Sequence, residues 1–322
     1  MLKVYPPILP FNSFELNVCK LHSLHAEESG NPQGIPVIYL HGGPGGGIAP
    51  FARRLFNPEL YRIINMDQRG CGQSRPFLEL KDNHTQALID DMETLRQHLG
   101  IDKWLVCGGS WGTTLALLYG MQFPDRVLGM VLRGVFLARA EDIDWFLAPD
   151  GGAAQIFPDH YQQFVSELER SDSSQAVLQH FHQQLTSDNE ISRLAAAKLW
   201  TGWEAHIAHL HFIHTEQQDD NLHTQLSLAV LECHYMLNQC FIAENQILDN
   251  VDKMGEVPGI IVHGRYDMVC KLEAAQSLHN AWLNSELCIV PNAPHSGSHE
   301  LIASAFCKAT DAMARFLRKP PA

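Results

Sequence analysis

A serine flanked by glycines is the first feature of this chain that could do chemistry. From Trp104 to Leu117 the sequence runs through β-type residues, then Gly-Gly-Ser-Trp-Gly, then an apolar helical stretch, with the serine at position 110. Glycines on both sides of Ser110 permit a turn sharp enough to expose its side chain above a sheet, at the start of a helix. Gly-x-Ser-x-Gly also occurs in ordinary connections, but the strand before it and the helix after it favour a nucleophile that attacks acyl carbons.

A serine hydroxyl needs a base to take its proton, and that base needs an acid to fix its tautomer. A strand-like run at Gly259–Val262 is followed by Asp267, and a second at Leu287–Val290 is followed by His295. Both residues come after Ser110 in the order serine, acid, histidine, and each lies just past a strand end, where such sites gather. We therefore predict Ser110, Asp267 and His295 as a catalytic triad.

Three neighbouring residues are weaker candidates for the same roles. Asp252 precedes its strand instead of following it, and His299 is expected to open the last helix of the chain. His263 lies at the end of the strand before Asp267 and is predicted to be a packed histidine. The triad assignment is therefore preferred to these rivals.

The charge that develops on the substrate oxygen needs fixed donors, and backbone N–H groups serve this purpose well. The strand Val37–Leu40 is followed by His-Gly-Gly-Pro-Gly-Gly-Gly at 41–47. We assign one oxyanion donor to the amide of Gly43 and the other to Trp111, directly after the nucleophile. The loop lacks the spacing of a nucleotide cradle, and Pro44 removes a donor, so a phosphate site is not indicated.

Alternating strand and helix patterns must position these residues. We predict an antiparallel hairpin from Phe14 to Glu28 and strands at Val37–Leu40, Tyr61–Met66, Trp104–Cys107, Val127–Leu132, Gly259–Val262 and Leu287–Val290. Helices are predicted at His84–Leu99, after Ser110, at Asp267–Leu283 and at His299–Leu317. This rhythm predicts an α/β fold, a mostly parallel central sheet with helices on both faces.

The strand–helix rhythm disappears in the middle of the chain, where only helical stretches remain. We predict a core formed by residues 1–140 and 257–322, and an all-helical cap inserted at 141–256. The apolar run Leu226–Ala243 contains Glu232, His234, Asn238 and Gln239, so a soluble helix explains it better than a membrane span.

Composition excludes several classes of protein. The 322 residues carry a formal charge of −13, which does not suit a nucleic-acid or anionic-membrane binder. The eight cysteines contain no Cys-x-x-Cys pair, so neither a zinc site nor a disulfide framework is indicated. The first residues lack an apolar secretory run, which predicts a cytoplasmic protein.

Eight short motifs together carry a specific resemblance. They read HGGPGGG, DQRGCGQS, GGSWGTTLAL, RGVF, TGWE, ECHY, HGRYD and PHS. In this combination, and nearly from end to end, the chain resembles the proline iminopeptidase family of α/β-hydrolases. The resemblance implies the α/β-hydrolase fold and removal of N-terminal proline from peptides by serine, aspartate and histidine, with no metal or organic cofactor. Those roles fall on Ser110, Asp267 and His295.

The resemblance also implies how the substrate is selected. Glu204, which shares a helix face with Trp200 and Trp203, and Glu232 would bind the substrate's α-ammonium group. Two acids facing one cation would discriminate against blocked and internal peptide bonds. Phe136 would pack on the proline ring, and Arg133 would pair with one of the acids or orient it.

The chain departs from the family pattern near the ring site, at Leu147 after Trp-Phe and at Cys233 before His-Tyr. Packing around the ring could be looser, so aminopeptidase activity is better supported than strict proline preference. The expected partners are short peptides with a free N-terminal proline, and self-association into a homo-oligomer is allowed. A carboxylesterase, amidase or lactonase on the same scaffold, and a catalytically inactive binding protein, remain the alternatives.

Overall fold

One sheet organises the chain. The computed structural model describes residues 4–211 and 221–318, and within them eight strands pair in the order β1-β2-β4-β3-β5-β6-β7-β8. The strands are β1 (Asn12–Asn17), β2 (Ser23–Gly30), β3 (Ile35–Leu40), β4 (Tyr61–Met66), β5 (Trp104–Gly109), β6 (Val127–Arg133), β7 (Gly259–Gly264) and β8 (Ser285–Val290). The predicted α/β fold is confirmed.

The sheet is antiparallel only at one edge. Strand β2 pairs antiparallel with β1 and with β4, which confirms the predicted hairpin, and the remaining pairs are parallel. Every residue of β5 is buried, as expected for a central parallel strand covered on both faces. The carboxyl ends of β3, β5, β6 and β7 therefore meet at one edge, where the predicted site residues follow them.

Helices cover both faces of this sheet. The α-helices of the described residues, those of the segment between β6 and β7 included, are α1 (Thr85–His98), α2 (Trp111–Gln122), α3 (Ala140–Leu147), α4 (Gly152–Ile156), α5 (Pro158–Phe164), α6 (Ser174–Leu185), α7 (Glu190–Ile207), α8 (Leu222–Leu237), α9 (Leu272–Ala281) and α10 (Glu300–Leu317). Two apolar cores result, because neighbouring residues of a strand point to opposite faces. Val106 belongs to the core on the side of α2, whereas Leu105 belongs to the core on the side of α10.

Between β6 and β7 the described residues form helices and no strand. Helices α6, α7 and α8 of this segment pack on one another, with Trp200 and Phe181 among their buried side chains. No helix in the described part of the chain has the length and apolar character needed to cross a membrane.

The start of α9 differs from the predicted one. The sequence suggested a helix from Asp267, but α9 begins at Leu272. The Asp267 carboxylate accepts hydrogen bonds from the amides of Val269 (3.0 Å) and Cys270 (2.8 Å), which stabilises a turn before the helix. That turn fixes the position of the Asp267 side chain at the sheet edge.

Candidate active site

Ser110 lies in a strained turn between β5 and α2. Its backbone has φ +57° and ψ −126°, a region that residues with a side chain rarely occupy. Neither flanking position has room for a side chain. A Cβ at Gly108 would clash with Gly112, and a Cβ at Gly112 would clash with the carbonyl of Leu40. The turn can form only because both positions lack a side chain, which is the physical reason for the Gly-x-Ser-x-Gly spacing.

Hydrogen bonds hold the backbone of the turn. The Ser110 amide donates to the carbonyl of Arg133 at 2.9 Å, and the Ser110 carbonyl accepts from the Thr113 hydroxyl at 2.7 Å. The same hydroxyl accepts from the amide of Phe136 at 3.0 Å. The end of β6 and the residues after it are thereby tied to the serine. The Ser110 hydroxyl itself lies 3.9 Å from the Sγ atom of Cys270.

Asp267 and His295 form a buried acid–base pair. Nδ1 of His295 lies 2.7 Å from Oδ2 of Asp267, and Nε2 of the buried His263 lies 3.5 Å from the same oxygen. Burial alone would raise the pKa of Asp267. Three neighbours oppose this effect: His295 through its charge and its hydrogen bond, His263 through its charge, and Cys270 through its amide. Together they hold the pKa of Asp267 below its ordinary value. An ionised Asp267 can orient the imidazole and stabilise it when it gains a proton.

Ser110 and His295 line the same cavity, of about 360 Å³. Among the described residues no hydrogen bond joins the Ser110 hydroxyl to His295. The proposed nucleophile and base are therefore not in contact in this structure. Catalytic hydrogen bonds are often long in ligand-free enzymes and shorten when substrate binds. The Arg133 guanidinium occupies the space beside the base, with Nη1 3.5 Å from Nε2 of His295 and 2.8 Å from its carbonyl oxygen.

The glycine-rich loop after β3 lies against the serine. A Cβ at Gly42 would stand 3.2 Å from the Cβ of Ser110, and Gly43 has φ +107°, which glycine alone adopts without strain. The amide of Gly43 and that of Trp111, the first residue of α2, donate to no group in the described residues. Two amides without an acceptor among the described residues thus lie close to Ser110 in the chain or in space.

Asp67 holds this loop in place. Its carboxylate accepts from the amides of Ile48 at 2.6 Å and Gln73 at 2.8 Å. Arg69, two residues after Asp67, forms an ion pair with Asp91 at 2.7 Å. The sequence did not indicate this partner. His41, Asp67 and Cys71 approach one another closely enough to hold a metal ion. However, Nε2 of His41 already accepts from the Gln68 amide at 3.1 Å, and Asp67 is also occupied, so we assign no metal there.

Two carboxylates from the helical segment face the site. Glu232 on α8 is buried and accepts one hydrogen bond, from the indole N–H of Trp200 at 2.7 Å. Glu204 on α7 lines the large cavity, and no described residue forms a hydrogen bond or ion pair with its carboxylate.

Burial raises the pKa of both groups. For Glu232 the nearby negative charge of Glu204 adds to the increase, and the Trp200 hydrogen bond opposes it. For Glu204 the positive charges of His295 and Arg133 oppose the increase. The sequence left open whether Arg133 pairs with one of these acids or orients it, and no ion pair joins them in the described structure.

A second, much smaller cavity of about 20 Å³ adjoins the nucleophile. Ser110 and Gly43 line both cavities, while Glu232 lines only the small one. Its apolar walls are Phe136, Phe146, Met236, Val269 and Cys270. Sequence reasoning assigned a role in substrate binding to Phe136 and to none of the other four. A signal existed for Met236, which lies one helical turn after Glu232 and so shares its face of α8.

Known proteins resemble this chain in sequence and in fold. A family model for the alpha/beta hydrolase fold matches residues 35–300. A proline iminopeptidase of Arabidopsis thaliana is 44% identical over 312 residues, covering 96% of this chain and 82% of that protein. A proline iminopeptidase of Xanthomonas citri is 43% identical over 322 residues, covering 98% of this chain and 100% of that protein.

Solved structures share the architecture at lower identity. VinJ superimposes with a TM-score of 0.67 at 17% identity, covering 96% of this chain and 100% of its own. The proline iminopeptidase of Mycobacterium smegmatis gives a TM-score of 0.59 at 18% identity, covering 95% and 99% of the two chains. These two matches show the fold alone, whereas the two relatives above 40% identity span almost the whole chain. The chain therefore belongs to the proline iminopeptidase family of α/β hydrolases.

Proposed function

We propose that this protein is a serine exopeptidase that releases the N-terminal residue, preferentially proline, from short peptides. The observation that carries the proposal is the pair Glu204 and Glu232, two carboxylates that form no ion pair with a described residue, beside a partly buried serine and a histidine–aspartate pair. The names of the relatives support the same reaction.

In the proposed reaction Ser110 attacks the first peptide carbonyl and His295 accepts the hydroxyl proton. His295 then donates that proton to the leaving nitrogen, while Asp267 fixes the ring so that Nε2 faces the reacting atoms. The amides of Gly43 and Trp111 stabilise the oxyanion. Water, activated in the same way, attacks the acyl-enzyme and releases the free amino acid.

Selection of the free amino terminus follows from charge. A buried, ionised carboxylate is costly unless a cation meets it, and no described cation forms an ion pair with Glu204 or Glu232. The α-ammonium group of a substrate would supply that cation between them. A blocked terminus or an internal peptide bond brings no charge and would leave both acids unpaired, so such substrates are disfavoured.

Selection of proline follows from space. The small cavity beside Ser110 is narrow, which disfavours large side chains, and the aromatic walls Phe136 and Phe146 suit an apolar ring. We propose that the helical segment, residues 141–256, acts as a cap that supplies Phe146, Met236 and both glutamates. The cytoplasmic location and any self-association stay predictions from the sequence.

An esterase, amidase or lactonase, the alternative function, would not require a free amine on its substrate. The test is hydrolysis of H-Pro-p-nitroanilide and of p-nitrophenyl acetate by the wild type and by Ser110→Ala. We expect the proline substrate to be strongly preferred and Ser110→Ala to lose several orders of magnitude in kcat while remaining folded. Hydrolysis of the acetate ester alone would support the esterase, and unreduced activity in Ser110→Ala would reject the nucleophile.

A further inference from the structure

Arg133 is a cation at the active site that forms no ion pair with a described residue. It is the last residue of β6, partly buried, and it lines the large cavity with Ser110, Glu204 and His295. Its side chain donates to the His295 carbonyl at 2.8 Å, but no carboxylate of the described chain lies within ion-pair distance. Both hydrogen bonds of the guanidinium within the described residues are made by Nη1 and go to His295, which leaves its other N–H groups without an acceptor there.

The place of Arg133 relative to His295 identifies what it could bind. His295 delivers its proton from Nε2 to the nitrogen of the departing residue, and Nη1 of Arg133 lies 3.5 Å from that ring atom. In an amino acid the nitrogen and the carboxylate carbon are two bonds, or about 2.5 Å, apart. A carboxylate on the residue that leaves would therefore come within hydrogen-bond reach of the guanidinium.

We propose that Arg133 binds the α-carboxylate of the departing residue, so that the preferred substrates are dipeptides of the form H-Pro-Xaa-OH. Guanidinium and carboxylate form a strong, often bidentate pair, which suits this role. This inference rests on the proposed function, because it assumes that the acyl group is the N-terminal residue.

The charge arrangement of the site matches that of a dipeptide. Such a substrate is a zwitterion, with ammonium and carboxylate separated by less than about 7 Å, the extended length of two residues. Glu232 lies at the small cavity on one side of Ser110, and Arg133 lies in the large cavity beside His295. Glu204 lines the large cavity as well, so the ammonium group would lie towards Glu232 and Glu204, and the carboxylate towards Arg133.

The experiment compares H-Pro-Leu-OH with H-Pro-Leu-NH₂, which differ only in the terminal charge, by measuring the proline released. We expect wild-type kcat/KM to be roughly 10-fold to 100-fold higher for the acid, the range typical of a hydrogen bond between charged groups. In Arg133→Gln the acid-to-amide ratio should fall towards one, and in Arg133→Lys it should be intermediate. Arg126→Gln, which removes a surface arginine paired with Asp102, is the matched control and should keep the wild-type ratio.

Two results would overturn the proposal. One is equal kcat/KM for acid and amide in the wild type, a measurement that needs no variant. The other is an Arg133→Gln variant that loses the same factor on both substrates, which would make Arg133 a positioning residue for His295. Turnover of H-Pro-p-nitroanilide in the same preparation separates the two proposals: with turnover but no preference for the acid, only the role of Arg133 fails, and without turnover of any proline substrate both fail.

Discussion

The indole N–H of Trp200 donates to the carboxylate of Glu232 at 2.7 Å, and no other described group hydrogen bonds that carboxylate. One neutral donor does not compensate for removing a negative charge from water. Burial accordingly raises the pKa of Glu232 well above its ordinary value, with the charge of Glu204 contributing further. In the free protein this site is costly to maintain, and that cost is what a substrate ammonium group would relieve.

Glu232→Gln should therefore stabilise the free protein. Because the folded-state pKa of Glu232 is raised, its ionised form destabilises the fold above that pKa, and the penalty disappears as pH falls towards the unfolded value of 4.5. We expect the variant to gain about 1–3 kcal/mol at pH 8 while retaining the Trp200 hydrogen bond, and to gain little near pH 4.5. Urea unfolding at the two pH values measures the difference. A Gln variant less stable than wild type at pH 8 would contradict the unpaired state of Glu232.

Glu204→Gln should impair recognition of the amine more than acyl transfer. Removing one of two carboxylates that face the ammonium should lower kcat/KM for H-Pro-p-nitroanilide by roughly 10-fold to 100-fold. Hydrolysis of a neutral aryl ester needs no ammonium and should change much less. Glu190→Gln, at the exposed start of the same helix, is the control and should affect neither substrate. Equal losses on both substrates in Glu204→Gln would remove its role in amine binding.

The pH dependence should differ between charged and neutral substrates. Hydrolysis of either substrate requires a neutral His295. This requirement therefore cancels in the ratio of kcat/KM for H-Pro-p-nitroanilide to kcat/KM for the neutral aryl ester. The raised pKa values of Glu204 and Glu232 mean that the ratio should fall on the acid side beginning above pH 4.5. It should fall again above about pH 8, where α-amino groups lose their proton. A ratio that stays constant from pH 5 to 9 would show that the enzyme does not recognise the charge of the substrate ammonium group.

Met236→Ala should relax the preference for a compact first residue. Met236 walls the small cavity beside Ser110, and its removal leaves space that a larger acyl side chain can fill. We expect kcat/KM for H-Leu-p-nitroanilide relative to the proline substrate to rise by roughly tenfold, since one to a few methylene groups change specificity by about that factor. Met121→Ala, which removes the same atoms at a different surface pocket, should leave the ratio unchanged. An unchanged ratio in Met236→Ala would place the acyl residue elsewhere.

Periodicity and motif order predict what depends on local sequence. The parallel strands, the edge hairpin and the placement of Asp267 and His295 after strand ends follow from runs of apolar residues and the breaks between them. Packing between distant segments does not follow from them. The contact of Cys270 with Ser110, the pairing of Arg69 with Asp91 and the position of Met236 depend on how helices and loops meet across the sheet edge. The predicted start of α9 was wrong for a similar reason. The Asp267 carboxylate accepts hydrogen bonds that stabilise a turn before the helix.

The most direct measurement compares kcat/KM for H-Pro-p-nitroanilide with that for its N-acetyl derivative in the wild type. The two molecules present the same scissile bond and ring and differ in the charged amine and the group that blocks it. Recognition by Glu204 and Glu232 predicts at least a thousandfold preference for the free amine, which at about 4 kcal/mol is within the range for a desolvated charge pair. A second comparison in Glu204→Gln should show that preference reduced. Comparable rates for the free and acetylated substrates in the wild type would contradict the account.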